Sequence, residues 1–230
     1  MALISLEEGV GWQMIIWELH TSLDYLSFMH VEERGVRVWL DYIDGKLARW
    51  QPVRISFSTD VYDDTDERHE RVPDFPSLGS LITCDDKAKS ILEGMLEGYA
   101  EFLPLISDEK VGKPYYILHP TRELNCEDWA RSDWERAFKG STMRSVRRFA
   151  FIQNRVGDAP MFILPGSTPF KPFVTDRFKQ LVEDKNLTGL EFRNRGDARR
   201  YSYLQRVVTD CRGFVCRKIF HYTSRFSRRR

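Results

Sequence analysis

Apolar residues at positions 12, 15, 16, 19, 23 and 26 recur every three or four residues, and this spacing predicts a helix from Trp12 to Phe28. The next stretch, VRVWLDYIDGKLARWQPVRISF, reads as two extended segments rich in Val, Ile and aromatics on either side of a turn at Asp44-Gly45. Residues 60–70, DVYDDTDERHE, offer little to bury. The prolines and glycine of RVPDFPSLG, which follows, argue against a regular element there. An exposed acidic loop is expected, with a solvated connector the plainer reading and an acidic binding surface the alternative.

From Leu81 the chain writes LITCDDKAKSILEG, and about ninety residues later it writes nearly the same phrase as FVTDRFKQLVED from Phe173. In the first copy Thr83 reads as an N-cap with Asp86 three residues on, and Ala88, Ile91, Leu92, Met95 and Leu96 share one face. That predicts a helix of about four turns, after which Gly94 and Gly98 loosen its end and GYAEFLPL returns as a strand. In the second copy Thr175 is the cap, Asp176 is a first-turn acid favoured by the helix dipole, and Phe178, Leu181 and Val182 face one way. The exits match as well: Gly98, Glu101 and Phe102 correspond to Gly189, Glu191 and Phe192 with a one-residue offset.

Between the copies, Tyr115 to Leu118, Phe149 to Gln153 and Met161 to Leu164 are strand-like, with Gly157-Asp158 turning the last two together. The expected architecture is α+β: a mixed or antiparallel sheet with a few short helices, including two similar strand-cap-helix-strand units that read as two halves of one sheet. Two unequal copies are too few for a solenoid.

Composition adds limits to this picture. At 230 residues, 42 % hydrophobic and 30 % charged, the chain has enough material for one large domain or two small ones, and no apolar run is long enough to span a membrane. The first residues, MALISLEEGVGWQ, carry glutamates where a signal peptide has lysines, so a cytoplasmic site is expected. Cys84, Cys126, Cys211 and Cys216 form no CxxC pair and are expected to be reduced thiols; the five histidines lack metal-ligand spacing, so neither metal nor cofactor is expected. The net charge of +1 hides an asymmetry. Residues 193–230 hold twelve Lys and Arg against two Asp, a net of +10, which leaves the preceding body at −9.

No phosphate-binding glycine loop, HExxH, GxSxG or deaminase motif is present. An enzyme would have to assemble a site in space, with Glu127, Asp128 and His119 as the acid/base candidates. The bland reading makes Glu127, Asp128 and Asp133 first-turn acids of helices and His119 a strand-end histidine with a satisfied hydrogen bond. In the tail, Leu204, Val207, Val208, Cys211 and Val215 recur at helical spacing among Arg206, Arg212, Arg217 and Lys218. Such a basic amphipathic helix could bind nucleic acid or an anionic surface, or pack on the acidic body, and without a groove-reading motif the sequence does not favour nucleic acid.

Taken in order, Trp50 and Pro52, then Asp74-Phe75-Pro76, the capped helix, Glu101-Phe102-Leu103-Pro104, Tyr115-Tyr116, and Leu187-Thr188-Gly189 resemble immunity protein family eleven of bacterial polymorphic toxin systems over residues 50–192. The resemblance implies an α+β domain, expected over residues 1–192 with a basic extension at 193–230. It also implies no catalysis, no cofactor, and one partner, a cognate toxin encoded by an adjacent gene. An acidic body suits a basic toxin, because complementary charge speeds encounter. The acids Asp63, Asp64, Asp66 and Glu67, with Tyr62 as an aromatic anchor, are accordingly the candidate toxin-binding residues. The sequence leaves the oligomeric state open.

Overall fold

The structure, a computed structural model, describes residues 14–22, 24–30, 34–45, 48–58, 71–109, 111–136, 144–167, 169 and 171–195. In chain order the elements are β1 (Ile16–Thr21), β2 (Phe28–His30), α1 (Arg34–Ile43), β3 (Arg54–Phe57), β4 (Ser77–Leu78), β5 (Leu81–Asp85), α2 (Asp86–Leu96), β6 (Ala100–Pro104), β7 (Ile106–Ser107) and β8 (Tyr115–Pro120). They continue as β9 (Asp133–Arg136), β10 (Arg144–Arg148), α3 (Gln153–Val156), β11 (Met161–Phe162), β12 (Phe173–Thr175), α4 (Asp176–Asp184) and β13 (Leu190–Arg193). The fold is α+β. Two compact units are distinguishable, the larger within Met1–Glu127 and Phe151–Asn194 and the smaller within Asp128–Ala150 and Arg195–Arg230.

In the larger unit, a mixed seven-stranded sheet runs β6-β8-β5-β4-β2-β3-β7. Strand β5 is buried along its whole length, because its alternating side chains enter two different cores. Ile82 and Cys84 face the core made with Ala88, Leu92 and Leu96 of α2. Leu81 faces the opposite core, with Val38 and Trp39 of α1, Ile55, Tyr115 and Ile117.

Two early elements exchange type relative to the sequence expectation. Residues 16–21 form strand β1, not part of a helix, since pairing with partners more than 150 residues away outweighs the local helical period. Conversely, the supposed strand before Asp44 is helix α1, whose Val38, Trp39, Tyr42 and Ile43 lie on one face against the second core. The turn itself is where the sequence puts it. Gly45, at φ +70°, ends α1 and donates its N–H to the Tyr42 carbonyl at 3.1 Å.

The second sheet has four strands, β11-β12-β1-β13, and contributes Leu19, Met161 and Val174 to the α2 core, where Phe178 and Val182 of α4 also pack. The two copies of the repeated phrase thus build β5-α2-β6 and β12-α4-β13 in two separate sheets, correcting the expectation that they are halves of one. They share a core instead. The first cap also moves: β5 pairs with β8 as far as Asp85, so the Asp85 carboxylate receives the Ala88 N–H at 2.9 Å, while Thr83 is buried in the strand and its hydroxyl donates to the Pro76 carbonyl. Thr175 does hold the cap position of α4, without a side-chain cap bond. Helix α2 spans eleven residues, about three turns.

Further along, the strand expected at Phe149 to Gln153 is an isolated bridge at Phe151 followed by α3, and RVPDFPSLG contains the short strand β4. Strands β8 and β11 fall where the pattern puts them.

The motifs that carried the family resemblance lock together in pairs. The Trp50 indole donates to the Pro104 carbonyl at 2.7 Å, joining Trp-x-Pro to Glu-Phe-Leu-Pro. Asp74 and Thr188, 114 residues apart, are joined twice through the Asp74 carboxylate, by the Thr188 N–H at 2.8 Å and its hydroxyl at 2.9 Å. Lys87 reaches the other carboxylate oxygen at 2.8 Å. Burial pushes the Asp74 carboxyl up, but these donors outweigh it and hold it below its ordinary value. Gly189 completes the clasp at φ +99°, where a Cβ would come within 2.6 Å of the Phe75 carbonyl oxygen.

Candidate functional site

The candidate toxin-binding residues Tyr62, Asp63, Asp64, Asp66 and Glu67, together with the basic tail from residue 196, lie outside the described residues. The three acid/base candidates are described, and they have different jobs. Asp128 starts a turn: its carboxylate accepts the Ala130 N–H at 3.2 Å and the Arg131 N–H at 3.3 Å. Glu127 is buried and bridges Phe151 through the backbone.

His119 lies on β8 opposite Glu101, with its ring edge-on to Trp39 at 5.0 Å and to Tyr42 at 5.8 Å. Its Nδ1 is buried and has no hydrogen-bond partner among the described residues, so the expected satisfied histidine is not what the fold provides. Burial pushes this imidazole below its ordinary pKa, opposed by the Glu101 carboxylate. Glu101 in turn accepts the Tyr42 hydroxyl at 2.7 Å, and burial followed by this carboxylate raises Tyr42 to about 12. Both described thiols are free and buried, and burial drives both up, Cys84 well above its ordinary range and Cys126 to about 11. His119 and Tyr42 pack edge-on in one aromatic cluster with Trp39 and Trp50, and both described thiols are buried.

A cleft of about 150 Å³ is lined by Gly35, Val38, Gln51, Pro52, Val53, Arg54 and Ile106. It includes neither His119 nor Glu127, and among the described residues Arg54 is its one ionisable lining residue. No group of three or more metal-ligating side chains occurs among the described residues, and no helix there is long and apolar enough to cross a membrane.

The smaller unit has a different surface. ELNCEDWARSDWE forms a turn and a strand, where helix starts were expected: Asp128 starts the turn, and β9 pairs antiparallel with β10. Trp134 lies opposite Val146, and Asp133 opposite Arg148, with a bulge between Val146 and Arg148. The Ser132 hydroxyl, 8 % exposed as a residue, accepts the Ala150 N–H at 3.0 Å and ties the base of the ribbon. Arg195 donates to the Val146 carbonyl at 3.2 Å.

Trp129 in the turn and Trp134 on β9 remain in contact with solvent, at 51 % and 41 %. Trp is ordinarily well buried, so two such exposures within six residues stand out. Arg131 in the turn and Arg147 and Arg148 on β10 are also exposed. Tryptophan and arginine are the residues most enriched where binding energy concentrates in protein interfaces. The sequence reading names the carboxylates here and not these tryptophans; the available signal is a pair of Trp five residues apart that fits no apolar helical face.

No curated protein matches the chain. The model of an immunity protein family does match, beginning at residue 21, ahead of the motifs that first suggested it, and ending at residue 197, just past β13. Because that match covers more than half of the 230 residues, the chain belongs to the Immunity protein family (Imm11).

Proposed function

We propose that this protein neutralises a cognate toxin of a bacterial polymorphic toxin system by binding it directly, without catalysis, in the cytoplasm of the cell it protects. The family match over residues 21–197 is the observation that carries this reading. The pairwise locking of the family motifs supports it further, since motifs consumed in holding the fold leave recognition to the segments between them. The turn at Asp128 and the β9-β10 ribbon after it form such a segment, and we place the toxin contact on Trp129, Trp134 and the arginines beside them. Tyr62, Asp63, Asp64, Asp66 and Glu67 form the second contact, through steering of a basic toxin surface.

The immunity domain is taken as residues 1–192, with 193–230 as a basic extension. The test is co-expression with the product of the adjacent gene. Cells should survive when the full chain is present, and the two proteins should purify together. A chain that neither rescues growth nor co-purifies would end the proposal.

A further inference from the structure

The two copies of the repeated phrase agree more deeply than their sequences show, because each holds a third strand between its own two. In the first copy β8 lies between β5 and β6, antiparallel to both. In the second, β1 lies between β12 and β13, again antiparallel to both. The registers correspond residue by residue. Tyr116 faces Cys84, Leu118 faces Phe102 and His119 faces Glu101. At the matching places Trp17 faces Val174, Leu19 faces Phe192 and His20 faces Glu191.

The side chains around the middle strand repeat too. The first helical residue accepts a hydrogen bond from the aromatic on that strand: Asp86 from the Tyr116 hydroxyl at 3.3 Å, and Asp176 from the Trp17 indole at 2.8 Å. Three residues later a lysine covers the same ring, Lys89 at 5.2 Å from Tyr116 and Lys179 at 5.2 Å from Trp17. Each lysine also reaches the phenylalanine of the exit strand, Phe102 at 5.9 Å and Phe192 at 5.7 Å, and pairs with the glutamate four residues on, Glu93 or Glu183. Independent origin of one topology is common, but a shared Asp, aromatic, Lys, Phe and Glu constellation in one register is a far narrower coincidence.

We infer that the larger unit contains two copies of one strand-helix-strand-strand module, and that β1 is the last strand of the second copy, carried at the opposite end of the chain. The first module is completed by β8, soon after β6. The second stays open until β1 enters, since β1 is the strand that joins β13 to β12. The N-terminal strand is therefore a closing strap: seating it completes one half of the fold, and withdrawing it opens two strand edges at once.

Hydrogen exchange on the full chain tests this directly. The amides of β1 should exchange as one block with β12, α4 and β13, not with β2 and α1, their neighbours in sequence. Trp17→Tyr should leave the protection of that block within about threefold of wild type, because tyrosine does this job in the first module. Trp17→Leu should speed its exchange at least tenfold more than that of β6 and β8. Exchange of β1 with β2 and α1, or equal damage from the tyrosine and leucine variants, would overturn the inference. A circular permutant that joins Arg230 to Met1 through a Gly/Ser linker and opens after Ser22 restores the element order of the first module. It should melt within about 5 °C of wild type; a permutant that is folded but whose β1 amides are unprotected would also overturn it.

Discussion

Replacing Asp74 by Asn keeps the shape of the side chain but removes the charge that holds Lys87 and both donors of Thr188. The Lys87 contact loses its ionic character. One amide position becomes a donor facing other donors, so at least one partner at this half-buried site loses its acceptor. Hydrogen bonds to a charged group contribute about 1.5–3 kcal/mol each and are not additive, so a total loss of about 3 kcal/mol is expected at neutral pH. For a protein of this size that lowers Tm by roughly 6–12 °C.

The pH dependence makes the prediction sharper. The folded carboxyl titrates below its ordinary value, so its contribution is complete above the unfolded pKa, about 3.9, and is lost as pH falls through the folded one. Urea denaturation of wild type and Asp74→Asn at pH 6, 4 and 3 should therefore show a gap that is full at pH 6 and narrows below pH 4. A gap under about 0.5 kcal/mol at pH 6, or one that does not change with pH, would refute the clasp as a charge-dependent element.

Gly189→Ala should cost at least as much as the Asp74 change, about 3 kcal/mol or more, because a Cβ both strains a positive φ and meets backbone at 2.6 Å; thermal melts read it, and a wild-type Tm would contradict the geometry. His119 is held below its ordinary pKa in the folded state, so its neutral form stabilises fully above about 6.5 and that stability declines as pH falls towards the folded value. His119→Gln should accordingly lose less stability than wild type between pH 7 and pH 5, measured as the difference in urea midpoints. Trp134→Ala, at a 41 % exposed position, should leave Tm within about 2 °C of wild type yet weaken toxin binding by about thirtyfold in calorimetry, the size of a hot-spot loss near 2 kcal/mol.

What the sequence discloses here depends on how local the determinants are. The helices α2 and α4 were legible because first-turn acid and apolar face lie within a dozen residues, although the cap of α2 proved to be Asp85 and not Thr83. The identities of β1 and α1 were not, because a short apolar run satisfies either period, and the choice between them was made by strands 155 residues distant and by the core under Trp39. The equivalence of β1 and β8 was hidden for a related reason: IWELHT and YYILHP share only Leu-His, and they stand in different places relative to their helices. Of the candidate surface, the acidic residues at 63–67 lie outside the described residues, and the tryptophans needed the structure. Acid clusters announce themselves by charge alone, whereas an exposed tryptophan is informative only after exposure is known.

Strand β1 also has a schedule. Its Trp17 and Leu19 leave the ribosome early, but their partners on β13 are reached only at residue 193. At about 5–20 residues per second that is a wait of roughly 10–35 s. During that wait an apolar strand has no sheet to join, while the β5-α2-β6-β8 module can already close behind it. If the second module closes only when β1 enters, the growing chain spends many seconds with the first module closed and β1 unpaired. That interval, more than the final stability, is where chaperone demand and losses to aggregation should concentrate.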